Sequence, residues 1–456
     1  MDAVAASLDP LPLDLPSADR SAVLPAGFVA GGMAAGIKAS GRPDLALVAT
    51  TVGPVPAAAV FTPNPVGSAP VRWSRGRLPA DPSAGGGRCG VASAVVSTSG
   101  SANAATGDAG DADQADIAAG VARALGVDVG SVLCLSTGVI GVRLPVPTVI
   151  RGIETLAPKL SAAPESLEAA ARALMTTDSR SKLATASVEL SAADGRTHAV
   201  RVSGIAKGVG MIHPRMATML AVLMTDATVE PSTLSRILRL ATASTWDQLT
   251  IDRDTSTNDT VFLLASGAAG AGTVRPGSAA ERTLASAVTA VARDLARQQA
   301  ADGEGATTLI TCQVTGAIDD AEARAVAREV VASSLVKAAV HGRDPNWGRI
   351  AAAAGNARLA EAPVLVAAGL DRETAVSRAG VPATVDPARL RIAIAGRLVF
   401  DGASGPLPFD REAARADMDG PEVLIRVDLG LGSGSGEAFG CDLTEAYVVE
   451  NSEYTT

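Results

Sequence analysis

A chain of 456 residues with a formal net charge of −9 and a pI near 5.0 lacks the basic surface that neutralises phosphates, which excludes general nucleic-acid affinity. It is 47% hydrophobic but only 2% aromatic, with 46 Gly and 26 Pro, so its core has to be built from Ala, Val, Leu and Ile, small enough for helices to lie close on sheets. Cys89, Cys134, Cys312 and Cys441 are scattered, with no CxxC pair, and read as free thiols in a reducing compartment, with no metal site.

In chain order, residues 1–26 are rich in Pro, Asp and Ser without a period and read as a disordered extension. They lack the basic and apolar regions of a signal peptide, and no run reaches the ~18–20 apolar residues that span a bilayer; the expected location is cytoplasmic. Asp44–Val52 is an apolar run between Pro43 and Gly53, hence a buried strand, and Val60-Phe61 leads into a turn at Thr62-Pro-Asn-Pro65. Residues 76–90 read as a surface loop. Their Gly85, Gly87 and Gly90 stand in G-x-G-x-x-G register, but no strand precedes them and no helix follows, so nucleotide binding is rejected. Helices are predicted at 113–125, stopped by Gly126, and at 164–174, opened by Pro164. A strand at 132–135 runs into Ser136-Thr-Gly138, and 186–190 with 198–202 form a hairpin around Asp194-Gly195. Strands follow at 221–224, 261–264, 309–314, 390–394 and 423–427, and helices at 231–242, 281–300 and 321–340. Strands and helices come in mixed groups, which favours a layered α+β fold over a doubly wound sheet.

The stretch Lys207-Gly-Val-Gly-Met-Ile-His-Pro-Arg-Met-Ala-Thr-Met-Leu220 combines permissive Gly208 and Gly210 with restrictive Pro214. Cleavage of the Ala217-Thr218 bond would place an α-amine, which titrates near 7.7–8.0, beside the Thr218 hydroxyl. That pairing makes a weak nucleophile competent. The residues alone fit an ordinary loop before a buried strand better. Asp252, Asp254, Ser256 and Asn258 imitate a calcium loop, but Thr257 and Leu263 stand where its glycine and bidentate acid belong, so no metal is expected.

This stretch resembles the signature of the ornithine acetyltransferase family, the bifunctional glutamate/ornithine N-acetyltransferases of arginine biosynthesis. Further similar motifs lie in order: Ala35-Gly-Ile-Lys38, Ser136–Gly141, Met175-Thr-Thr-Asp178, Asp254–Asp259, Asp302–Thr307, Asp344–Ile350, Cys441-Asp-Leu-Thr444 and Asn451–Thr456. The resemblance implies an αββα-type sandwich, self-processed into an α chain (27–217) and a β chain (218–456) that stay in one compact unit, associating as an α2β2 heterotetramer. It implies Thr218 as nucleophile, Thr137 and Gly138 as the oxyanion hole, and Thr177, Lys207, Thr218, Glu304, Asn451 and Thr456 around the substrate. No cofactor is implied; acetyl-CoA is a second acyl donor that some members accept. Ser97–Gly107, Arg253 and Gly434–Gly440 depart from the family pattern and leave open a specialised N-acyl amino acid transferase, or a Thr-nucleophile amidase or aminopeptidase of related fold.

Overall fold

The computed structural model describes residues 8–11, 13–82, 87–191, 195–213 and 219–453. Ala217, Thr218 and Thr456 lie outside the described residues, as does Asp194 of the hairpin turn.

Two stacked sheets form the centre. The first has four strands in the order Phe28–Met33, Leu45–Thr50, Ala94–Ser101, Val132–Val139. The second has seven: Ala80–Asp81, Gly87–Ala92, Val55–Phe61, Thr260–Ala265, Leu220–Thr225, Thr197–Lys207 and Lys182–Ser191. Strand alternation sends Ala46 and Val48 inward to meet Val222 and Phe262 of the facing sheet, while Leu45 and Leu47 face helices Gly107–Leu125 and Val146–Leu156. Leu223 and Leu263 point the other way, onto helices Pro231–Ser244 and Ala279–Ala300. Burial on both faces is why these strands read as unbroken apolar runs. The layering is the αββα sandwich that the resemblance implied.

Strands from both sides of residue 217 share the seven-stranded sheet: Leu220–Thr225 lies between Thr197–Lys207, antiparallel, and Thr260–Ala265, parallel. A third sheet of six strands, containing Leu309–Ala317 and Glu422–Asp428, builds its own core with helix Asp320–Ala332. It is bolted to the sandwich by Arg293 on Glu437 and by Arg297 on Glu422. No helix of the described residues is long and apolar enough to cross a membrane.

Three expectations are corrected. Residues 8–11 and 13–26 are no disordered extension: Leu8, Leu11, Ala22 and Leu24 are buried, and Asp19 exchanges backbone hydrogen bonds of 2.9 and 2.8 Å with Thr185. This strap covers the Lys182–Ser191 edge strand, and its apolar anchors are too sparse to show a period. Residues 87–90 of the expected 76–90 loop belong to a strand paired with Val55–Phe61. The helix expected at 321–340 breaks at Ser333, whose backbone is extended and whose hydroxyl caps the next helix, Ser334–His341, at Val336 N.

Candidate active site

Asp178 organises the site from inside the fold. Its Oδ1 accepts from the Lys182 ammonium (2.7 Å) and from Gly208 N (2.9 Å), and its Oδ2 from Thr176 N (3.0 Å). Lys182, fully buried, also donates to Asp302 Oδ2 at 2.6 Å. One ion network thus ties together the loop carrying Thr177, the strand end carrying Lys207 and the turn carrying Glu304. Burial alone would raise the Asp178 pKa; Lys182, Lys207 and the Gly208 N–H outweigh it and bring it to about 2.

On this frame, Thr177 Oγ1 donates to Glu304 Oε1 (2.8 Å) and Asn451 Nδ2 to Glu304 Oε2 (3.0 Å). A Cβ at Gly210 would stand 2.1 Å from Glu304 Oε2, so a side chain there would push this carboxylate off its partners. Asn451 reaches in from helix Glu445–Glu453. Lys207, buried, donates to Thr137 Oγ1 at 3.1 Å. Because Thr137 accepts from this cation, its own O–H is turned away from Lys207 and is free to donate elsewhere. Burial lowers the Lys207 pKa, and Asp178 opposes that shift. Gly138 has φ +130°, and a Cβ would lie 2.4 Å from Gly100 C, so only glycine fits where its strand meets Ala94–Ser101. Thr137 and Gly138 lie within the strand Val132–Val139, not in a turn beyond it.

Thr137, Gly138, Thr177, Lys207, Glu304 and Asn451 all line one open cleft, whose empty volume, mouth included, is about 880 Å³. Met219 and Leu220 line it too. Leu220 stands opposite Lys207 in the ladder, and Thr260 N donates to Met219 O at 2.8 Å. On the other flank of residues 214–218, Thr255 Oγ1 donates to His213 O (2.9 Å) and Ile251 N to Ile212 O (2.8 Å). Ile212 and Met219, on either side of residues 214–218, therefore both line the cleft.

Sequence reasoning missed several groups here. Asp259 lines the cleft, is 2% exposed, and has an Oδ2 without a hydrogen-bond partner among the described residues; burial raises its pKa well above the usual carboxylate range. Asp252 caps the backbone N–H groups of Met211 and Ile212. Tyr447 adds a phenol whose pKa burial pushes up, with Asp252 and Glu304 adding to the rise. Lys182 had no signal in the sequence, whereas Asp178 and Asp259 sit in motifs already singled out. Elsewhere, His213 bonds Thr250 Oγ1 (2.9 Å), and Trp347 stacks on Phe400 at 4.5 Å.

A buried cation, a hydroxyl beside a side-chain-free N–H and an acidic rim in one cleft define an amino-acid site of acyl-transfer type on an αββα sandwich. The family follows from comparison: residues 29–456 match the model of the ArgJ family, and the chain belongs to that family. It is 45% identical over 446 residues to the arginine biosynthesis bifunctional protein ArgJ of Thermosynechococcus vestitus, covering 94% of this chain and 96% of that one. The ArgJ of Thermus thermophilus is 43% identical over 438 residues, covering 95% and 99%. A solved chain of ornithine acetyltransferase complexed with ornithine, from Mycobacterium tuberculosis, is 38% identical over 44% of this chain and 100% of that chain, with a TM-score of 0.37.

Proposed function

We propose that this enzyme moves an acetyl group from N-acetylornithine to glutamate through an ester on Thr218, after self-cleavage of the Ala217-Thr218 bond. The observation that carries this reading is the convergence of Thr137, Gly138, Thr177, Lys207 and Glu304 on the cleft bordered by Met219 and Leu220. In maturation the Thr218 hydroxyl attacks the Ala217 carbonyl carbon, the C–N bond breaks as the amine takes up a proton, and water opens the ester. In turnover the freed α-amine accepts the hydroxyl proton while Thr218 Oγ attacks the acetyl carbonyl. The Thr137 hydroxyl and Gly138 N–H receive the oxyanion. Ornithine leaves with the proton on its own α-amine; the glutamate amine then attacks the ester carbonyl, and the acyl C–Oγ bond breaks as Thr218 Oγ regains a proton by way of the Thr218 α-amine. Lys207 balances the substrate α-carboxylate; Thr177, Glu304, Asn451 and Thr456 hold the remainder.

The chains 1–217 and 218–456 stay associated, because Leu220–Thr225 is sheet-bonded to Thr197–Lys207, and they assemble as α2β2 in the cytoplasm. No cofactor takes part, and acetyl-CoA serves only as an additional donor. Incubation with N-acetylornithine, with and without glutamate, tests the reading: ornithine release that depends on glutamate is expected. Equal release without glutamate would make the protein an amidase.

A further inference from the structure

A second cavity lies where strands Val55–Phe61 and Gly87–Ala92 meet helices Pro231–Ser244, Ala362–Ala367 and Arg372–Arg378. Arg75, Arg88, Arg239 and Arg372 line it, and among the described residues no carboxylate does. In this acidic chain many arginines sit on carboxylates, as Arg143 does on Asp113 and Arg378 on Asp319. Arg75 and Arg88 are held by neutral carbonyls instead. Arg75 Nη2 donates to Thr62 O at 2.9 Å, and Arg88 Nη1 to Arg75 O (3.1 Å) and Leu78 O (3.2 Å). The buried Arg75 Nε has no acceptor among the described residues.

Such contacts aim the two guanidinium groups without balancing their charge. Burial depresses both pKa values, and the proximity of Arg75 depresses that of Arg88 further. A single carboxylate fills one arginine fork, whereas two guanidinium groups from separate elements, with Arg372 at the rim, match a doubly charged ligand with at least three acceptor oxygens. A phosphate, with a second pKa near 6, is such a dianion at neutral pH. The rest of the wall, including Phe61, Pro363 and Val366, is apolar and would accept an organic body attached to it.

We propose that this cavity binds a phosphate group between Arg75 and Arg88, with Arg372 at its mouth. The site is separate from the catalytic cleft but backs onto it: Thr62, held by Arg75, donates its N–H to Asp259 O at 2.8 Å.

Binding is read without turnover, by calorimetry on the full-length protein at ionic strength matched with chloride. Inorganic phosphate and phenyl phosphate are the ligands, and benzoate is the carboxylate control. Saturable binding of at least one phosphate is expected, with benzoate weaker; tighter phenyl phosphate identifies a phosphomonoester as the ligand, and equal affinities identify free phosphate. Arg88→Gln should weaken binding about tenfold or more, the loss of a charge-assisted hydrogen bond. Arg372→Gln, exposed and so harmless to folding, should weaken it by a smaller factor. Absence of saturable binding by both phosphates, or phosphate affinity unchanged in both variants, overturns the proposal.

Discussion

Replacing Lys182 by methionine removes the cation between two carboxylates inside the fold. The lysine side chain is 0% exposed, with Asp178 Oδ1 at 2.7 Å and Asp302 Oδ2 at 2.6 Å. Breaking one side of a buried pair leaves an uncompensated charge and costs about 3–5 kcal/mol. The Asp178 pKa gives a partial check. Held at about 2 against about 3.9 in an unfolded chain, it corresponds to roughly 2–3 kcal/mol of stability at neutral pH. Because this folded-state pKa is depressed, that contribution is present above about pH 3.9 and is lost as the pH falls toward 2. Urea denaturation of wild type and Lys182→Met at pH 7 and near pH 3 measures both effects. The expected result is a large deficit at pH 7 that narrows in acid. A deficit below about 1 kcal/mol at pH 7, the size of a surface pair, with no narrowing would refute the reasoning. Since Asp178 also fixes Thr176 N and Gly208 N, the variant's KM should rise more than its kcat falls.

Two further substitutions probe the cleft. Gly138→Ala puts a methyl 2.4 Å from Gly100 C and displaces the proposed oxyanion donor, so acetyl transfer should fall by about 10²–10³ with a lowered Tm; steady-state kinetics showing less than a tenfold loss would contradict the role. Asp259→Asn removes a carboxyl whose pKa burial raises. A raised carboxyl destabilises the fold progressively as the pH rises above its unfolded value, so the variant should gain Tm relative to wild type at pH 7 and lose that gain near pH 3, as thermal scans would show.

The sandwich was legible where one local rule governed one element. Asp194-Gly195 announced the hairpin, Pro164 the start of its helix, and the apolar run 44–52 a strand buried on both faces. The N-terminal strap was illegible because Leu8, Leu11, Ala22 and Leu24 are single anchors among prolines and acids. The break at Ser333 was hidden because Ala, Val and Leu continue the apolar pattern on both sides. Lys207, Thr177 and Glu304 were singled out through motifs, and the fold brings them to one cleft. What joins them is the contact of Lys182 with Asp302, 120 residues apart, and no spacing rule reaches that far.

The central claim is that Thr218 becomes the N-terminal nucleophile of this cleft. Its most direct test is intact-mass analysis of the purified protein with and without N-acetylornithine, glutamate omitted. Two chains ending at Ala217 and beginning at Thr218, the second gaining one acetyl group with the substrate, are expected, while Thr218→Ala should remain one unmodified chain. A wild-type protein that folds, stays a single chain and takes no acetyl group would contradict the account.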